Sequence, residues 1–181
     1  MSSSLMPVPS SIFLLHGLGG SGTGSVRLLE ERLQAKGWSE SVFLRPTLQA
    51  VHQPAEGKPM ERVFVQAWDE MNAFLGPRVP HLTVGFSFGG LLAAFSPSPL
   101  RLSICAPWAE LSADAIQRAA ARPSWRVLQG ERDQVVVPGH LAVLPEAVPV
   151  VLDAQGSHDF DAWMERIADW VQASWDVFQE S

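Results

Sequence analysis

Three short stretches combine residues able to do nucleophilic chemistry. Gly85-Phe86-Ser87-Phe88-Gly89-Gly90 is Gly-x-Ser-x-Gly with one further glycine. Gly130-Glu131-Arg132-Asp133 offers a carboxylate, and Gly156-Ser157-His158 offers an imidazole. A serine hydroxyl is a poor nucleophile at neutral pH and needs a base, and histidine titrates in that range. A carboxylate on the other ring N–H orients the base and stabilises the imidazolium formed during attack. Ser87, Asp133 and His158 are therefore the candidate catalytic residues. A tetrahedral oxyanion needs two aimed N–H donors. The backbone N–H of Phe88 is one candidate. The other is Leu18, in the glycine-rich loop His16-Gly17-Leu18-Gly19-Gly20.

Plainer readings stand beside these. Ser87 could be a turn serine, Asp133 a helix N-cap and His158 a loop histidine. Asp153 is a rival acid and His140 a rival base. His16 reads as structural, holding the glycine loop by hydrogen bonds. His52, His81 and His140 read as surface residues. A phosphate-cradling loop after Leu15 is excluded, because no Gly-Lys-Ser/Thr ends it. Gly17, Gly19 and Gly22 have dinucleotide-fingerprint spacing. The acidic residue expected about twenty positions on is missing, and Arg45 and Pro46 stand there instead. No His/Cys/Asp/Glu cluster has metal-ligand spacing, so neither metal nor cofactor is expected.

The elements that must position these residues follow from periodicity. Continuous apolar runs at Ile12–Leu15 and Leu82–Val84 read as buried parallel strands. Leu91 to Phe95 reads as the helix after the serine turn. Further strands are read at Val42–Leu44, Leu100–Cys105, Trp125–Leu128 and Val148–Leu152. Helical spacing marks Gly24–Lys36, with Val26, Leu29 and Leu33 on one face, and Phe64–Leu75, ended by Gly76-Pro77. Residues 46–60 carry three prolines and read as a loop. Pro107–Arg122 and Pro138–Pro145 read as helical, and Asp159–Phe178 as an amphipathic helix. Six strands alternating with helices call for a parallel sheet with helices on both faces. All three candidate residues would then lie at strand C-termini, on one rim.

The 181 residues suit a single domain over 1–181, with Met1–Ser11 as a Ser- and Pro-rich, flexible start. Hydrophobic residues make up 46% and charged residues 18%, as in a folded protein rather than a disordered one. A net charge of −6 argues against nucleic acid or an anionic membrane as partner. No apolar run is long enough to span a bilayer. Ile12–Leu15 is too short for a signal-peptide core. The single cysteine, Cys105, excludes an internal disulfide and reads as a small buried hydrophobe. It fits a reducing, cytoplasmic setting.

Taken together and in this order, four segments resemble the marker motifs of small α/β-hydrolases. They are Leu15-His16-Gly17-Leu18-Gly19-Gly20, the Ser87 hexapeptide, Gly130-Glu131-Arg132-Asp133-Gln134-Val135-Val136 and Gly156-Ser157-His158. Gly-Phe-Ser-x-Gly-Gly is most similar to the carboxylesterase, phospholipase and acyl-thioesterase branch. The resemblance implies a three-layer α/β-hydrolase fold with about six mostly parallel strands, and a serine hydrolase working through an acyl-enzyme on small-molecule carboxylic esters. The stretch after Cys105, where many relatives carry a lid, is short, so a minimal lid, an open site and small or short-to-medium acyl groups are expected. The alternatives are a thioesterase or methyl-ester hydrolase acting on an acyl-carrier protein, and a non-catalytic hydrolase fold used as a binding module. Trp108, Leu111 and Ile116 lie in the only stretch read as able to cover the site, and are expected as its apolar wall.

Overall fold

The computed structural model describes residues 8–181, so residues 1–7 of the expected flexible start lie outside it. In chain order the elements are β1 (Ser11–Leu15), α1 (Ser25–Leu33), β2 (Val42–Leu44), α2 (Gln49–His52), α3 (Met60–Leu75), β3 (Leu82–Phe86), α4 (Phe88–Phe95), β4 (Leu100–Ile104), α5 (Ala113–Ala120), β5 (Trp125–Gly130), β6 (Val150–Asp153) and α6 (Met164–Gln179). The six strands form one parallel sheet in the order β2-β1-β3-β4-β5-β6. Side chains alternate across it, as the strand repeat requires. Ile12 and Leu14 pack with α1 and α6, while Phe13 and Leu15 face α3 and α4. Both faces are thus covered, which is why the central strands read as unbroken apolar runs.

The order of the strands locates the crevice. From β1 the chain passes through α1 to β2 at the edge, then returns across the sheet to β3. The connection after β1 enters α1 on one face, and that after β3 enters α4 on the other. Between the two loops the carboxyl end of the sheet opens, as at the switch point of open α/β sheets.

Several elements depart from the expected bounds. The 46–60 loop contains α2, whose first amides, of Gln49 and Ala50, donate to the Glu70 carboxylate on α3. Four residues are too few for a helical repeat to show. The 107–122 stretch divides into a tight turn at Trp108–Glu110 and α5, which Ser112 caps by accepting the Ala115 N–H. Pro138–Val143 is a 3₁₀ turn. The last helix begins only at Met164, after another such turn at Phe160–Trp163. β6 starts at Val150, while Val148 turns into the core.

One buried cation was invisible in the sequence pattern. Arg101 sits inside apolar β4 and is fully buried. Its guanidinium donates to the carbonyls of Ala94, Ala119, Arg122 and Pro123. The Ala94 and Ala119 carbonyls belong to the last turns of α4 and α5, where partial negative charge collects, and those of Arg122 and Pro123 follow α5 in the chain. Burial, with Arg122 adding repulsion, pulls the guanidinium pKa down to about 10. It still titrates far above neutrality.

Candidate active site

Ser87 occupies the turn between β3 and α4 with φ 51° and ψ −122°. A non-glycine residue in this region costs on the order of 1–3 kcal/mol and persists only where its surroundings impose it. Here the backbone is pinned from both sides. The Ser87 N–H donates to Ile104 O at 2.8 Å, and Gly90 N–H donates to Ser87 O at 2.8 Å. Space is equally constrained. A Cβ on Gly85 would lie 2.0 Å from Gly89 O, and one on Gly89 would lie 2.4 Å from Leu15 O. Only glycine permits this crossing of strand, turn and helix.

The glycine loop after β1 lies against the serine. A Cβ on Gly17 would meet Ser87 Cβ at 3.0 Å and Ser87 Oγ at 3.6 Å. Three contacts tie this loop to α2 and the residue before it. His16 Nε2 accepts the Leu48 N–H at 2.9 Å, Gly19 N–H donates to Val51 O at 2.9 Å, and His52 Nδ1 donates to Gly20 O at 2.6 Å. His16 Nδ1 donates to Gly17 O at 2.9 Å. His16 is therefore a neutral imidazole with its proton on Nδ1. Burial lowers its pKa below the ordinary 6.5. His52, expected at the surface, instead helps to hold the loop. Among the described residues Leu18 N–H donates to no carbonyl. Phe88 is the first residue of α4, so its N–H has no intrahelical acceptor.

Asp133 and His158 come together through the backbone. Arg132 N–H donates to Gly156 O at 2.9 Å and Glu131 N–H to Asp153 O at 2.9 Å. A Cβ on Gly130 would overlap Gly156 at 2.4 Å, so a glycine there lets the two loops touch. Asp133 is 2% exposed. Its Oδ1 accepts the N–H groups of Val135 (2.9 Å) and Val136 (2.8 Å), and its Oδ2 accepts from His158 Nδ1 at 2.8 Å. Three donors compensate a buried carboxylate that would otherwise be costly. The rival acid Asp153 pairs with Arg166 at 2.9 Å, and the rival base His140 accepts the Ala109 N–H.

Ser87 and His158 line one cleft of about 220 Å³, with His16, Gly17 and Leu18. No hydrogen bond joins Ser87 Oγ to His158 among the described residues. Such contacts commonly tighten only when substrate is bound. The rest of the wall is Gly20, Ser21, Ser25, Val26, Phe86 and Phe160. The expected wall lies elsewhere. Trp108 is fully buried against Trp125, and Ile116 is packed in the core under α5. Leu111 borders a separate groove with Phe64, Val65 and Arg118. The 107–122 stretch packs on the α3–α4 face, whereas the cleft opens toward α1. The missed wall residue Phe160 stands two positions after His158. Its proximity in sequence was the available signal.

Cys105, directly after β4, also has positive φ (46°) and is fully buried. Its Sγ accepts the Gly130 N–H at 3.4 Å. Burial, with the Asp133 carboxylate adding to it, pushes the thiol pKa well above its usual value. Among the described residues no group of His, Cys, Asp and Glu could hold a metal ion. No helix among them is long and apolar enough to cross a membrane.

No protein-family model matches the chain, and no curated protein matches it. Solved structures do. Alpha/beta hydrolase domain-containing protein 10 from mouse is 16% identical, covering 96% of this chain and 92% of its own, with a TM-score of 0.67. A meta-cleavage product hydrolase from Pseudomonas fluorescens is 14% identical, covering 92% and 90%, at 0.65. Esterase PE8 is 18% identical, covering 91% and 92%, at 0.65. At these identities the likeness concerns the fold, and the fold is that of the α/β-hydrolases.

Proposed function

On this α/β-hydrolase fold we propose a serine hydrolase that cleaves carboxylic esters of small or short-to-medium acyl groups. The observation that carries the reading is the 2.8 Å Asp133–His158 pair, whose His158 lines the same cleft as a strained, glycine-flanked Ser87. Strain of this kind marks sites where an imposed geometry does work.

In the proposed reaction Ser87 Oγ attacks the ester carbonyl carbon while His158 Nε2 takes its proton. Asp133 keeps the ring proton on Nδ1 and balances the imidazolium charge. The oxyanion is received by the N–H groups of Leu18 and Phe88. Collapse breaks the bond to the leaving oxygen, which takes the proton back from His158. Water, activated by the same imidazole, then releases the acid from Ser87. A cleft of about 220 Å³ is smaller than common drug-sized ligand sites and suits small substrates. The name of the structural neighbour esterase PE8 points the same way.

Hydrolysis of p-nitrophenyl acetate, butyrate and octanoate by the wild type and by Ser87→Ala tests this reading. The expected result is activity on the short chains, with a loss of several orders of magnitude in the variant. A wild type inert towards all three, and unlabelled at Ser87 by a fluorophosphonate, would leave a non-catalytic binding module as the better account.

A further inference from the structure

Within the cleft, the surface beside the candidate base is apolar. The Phe160 ring packs on the His158 imidazole with centroids 4.9 Å apart, and on Phe86 at 5.0 Å. Phe86 is the residue before the nucleophile. Val26, on the first turn of α1, stands among the same lining residues. None of the three is more than 8% exposed, so they form a packed wall rather than a mobile rim. The walls that carry Phe160 and Val26 are also tied together, because Ser25 Oγ donates to Asp161 Oδ1 at 2.8 Å. Among the described residues the cleft lining includes no Asp, Glu, Lys or Arg.

Mechanism decides which part of a substrate meets this wall. His158 must reach the leaving oxygen to protonate it as the carbonyl carbon–oxygen bond breaks. The acyl carbon meanwhile stays bonded to Ser87 Oγ, and its oxyanion points to Leu18 and Phe88. The group attached to the leaving oxygen therefore extends along the His158 side of the cleft. We infer that Phe160, with Val26 and Phe86, forms the leaving-group subsite, and that the substrate is the ester of a small, uncharged, apolar alcohol. This rests on the serine-hydrolase reading and adds a specificity-determining residue, Phe160. A charged leaving group would lose its hydration there and find no counter-charge in the lining.

Two ester series separate this inference from its rivals. One holds the acyl group at acetate and varies the alcohol: ethyl, butyl, phenyl, 1-naphthyl and choline. The other holds p-nitrophenol and varies the acyl group from acetate to octanoate. The wild type should favour butyl and phenyl acetate over the choline ester. A hydrophobic subsite discriminates by about 10- to 200-fold per methylene-sized change. Phe160→Leu and Phe160→Ala should therefore raise 1-naphthyl relative to phenyl acetate by about tenfold in kcat/KM. They should leave the order of the acyl series as it was. All the acetates share one acetyl-enzyme, so among those whose turnover is limited by its hydrolysis kcat should vary less across the alcohols than kcat/KM does. Phe160→Leu keeps an apolar side chain in the core and carries the test if Phe160→Ala does not fold. If the acyl series shifts instead, or neither series shifts, or the choline ester is preferred, the inference is wrong. Absence of activity on every ester, with no fluorophosphonate label on Ser87, would instead overturn the hydrolase reading itself.

Discussion

Asp133 divides its two carboxylate oxygens between two tasks. Oδ1 is held by the amides of Val135 and Val136, and Oδ2 is left to receive His158 Nδ1 at 2.8 Å. The amides fix the carboxylate through its own loop, so its aim does not depend on the histidine. In Asp133→Asn the side chain keeps its size, and its oxygen can still accept from Val135 and Val136. The amide NH₂ would then face His158 and force the proton onto Nε2. That tautomer cannot take the serine proton. The expected outcome is a fall in kcat of about 10³- to 10⁴-fold. Fluorophosphonate labelling should slow in parallel. An unchanged kcat would show that Asp133 does not orient the base.

His16 makes loop order depend on pH. Both ring nitrogens are committed, Nδ1–H to Gly17 O and Nε2 to the Leu48 N–H. Protonation would set N–H against N–H at Leu48. Burial disfavours the charged form first, and His52 adds repulsion, while the Gly17 carbonyl and Glu70 act in the opposite direction. The native pKa lies below the ordinary 6.5. The neutral ring therefore stabilises the fold fully above about pH 6.5, and that contribution is lost as pH falls through the native pKa. Melting temperatures of the wild type and His16→Gln, compared between pH 8 and pH 5, check this. The wild type should lead at pH 8, with its lead shrinking on acidification. A constant difference would show that His16 does not titrate this way.

Much of the architecture was legible because physics wrote it locally. Ile12–Leu15 and Leu82–Val84 are apolar on both faces because helices cover both, and that leaves an unbroken run. Gly85 and Gly89 were legible because a strand–turn–helix crossing has no room for a Cβ. The cleft wall was not legible. Trp108, Leu111 and Ile116 follow the serine turn in sequence but pack toward α3 and α4. Phe160 comes from the far end of the chain and reaches the cleft because β6 brings its loop alongside β5. α2 was missed because its amides are capped by Glu70, twenty or so positions away, rather than by a neighbour. Such pairings are set by topology rather than by period.

Cys105 should be chemically silent in the native protein. It is fully buried, and burial beside Asp133 pushes its thiol up from the usual value near 9, so no thiolate forms near neutrality. Ellman's reagent at pH 8 should find no reactive thiol in the folded protein and one equivalent in denaturant. Rapid reaction under native conditions would mean that the β4–β5 end of the sheet opens.

Arg101 offers the clearest test of what holds the far end of the sheet together. It lies near the start of β4, at the opposite end of the strand from Ile104, whose carbonyl takes the Ser87 N–H. Its guanidinium serves four carbonyls, two in the last turns of α4 and α5 and two in the segment that follows α5. Two effects oppose each other on replacement by Met. Removing a buried cation that has no carboxylate partner among the described residues recovers its desolvation cost. Leaving buried carbonyls without donors costs about 1–3 kcal/mol each. With the buried Ala94 and Ala119 carbonyls and the half-buried Arg122 and Pro123 carbonyls at stake, the second effect should win, and Arg101→Met should lose about 3 kcal/mol. At about 2–4 °C per kcal/mol for a chain of this size, the melting temperature should fall by about 10 °C. Arg101→Lys should recover only part, because a single ammonium cannot span both helix ends as a planar fork does. Ester hydrolysis well below the melting point should persist in both variants, since neither touches the cleft. A Met variant as stable as the wild type would show that the helix ends are satisfied without the cation.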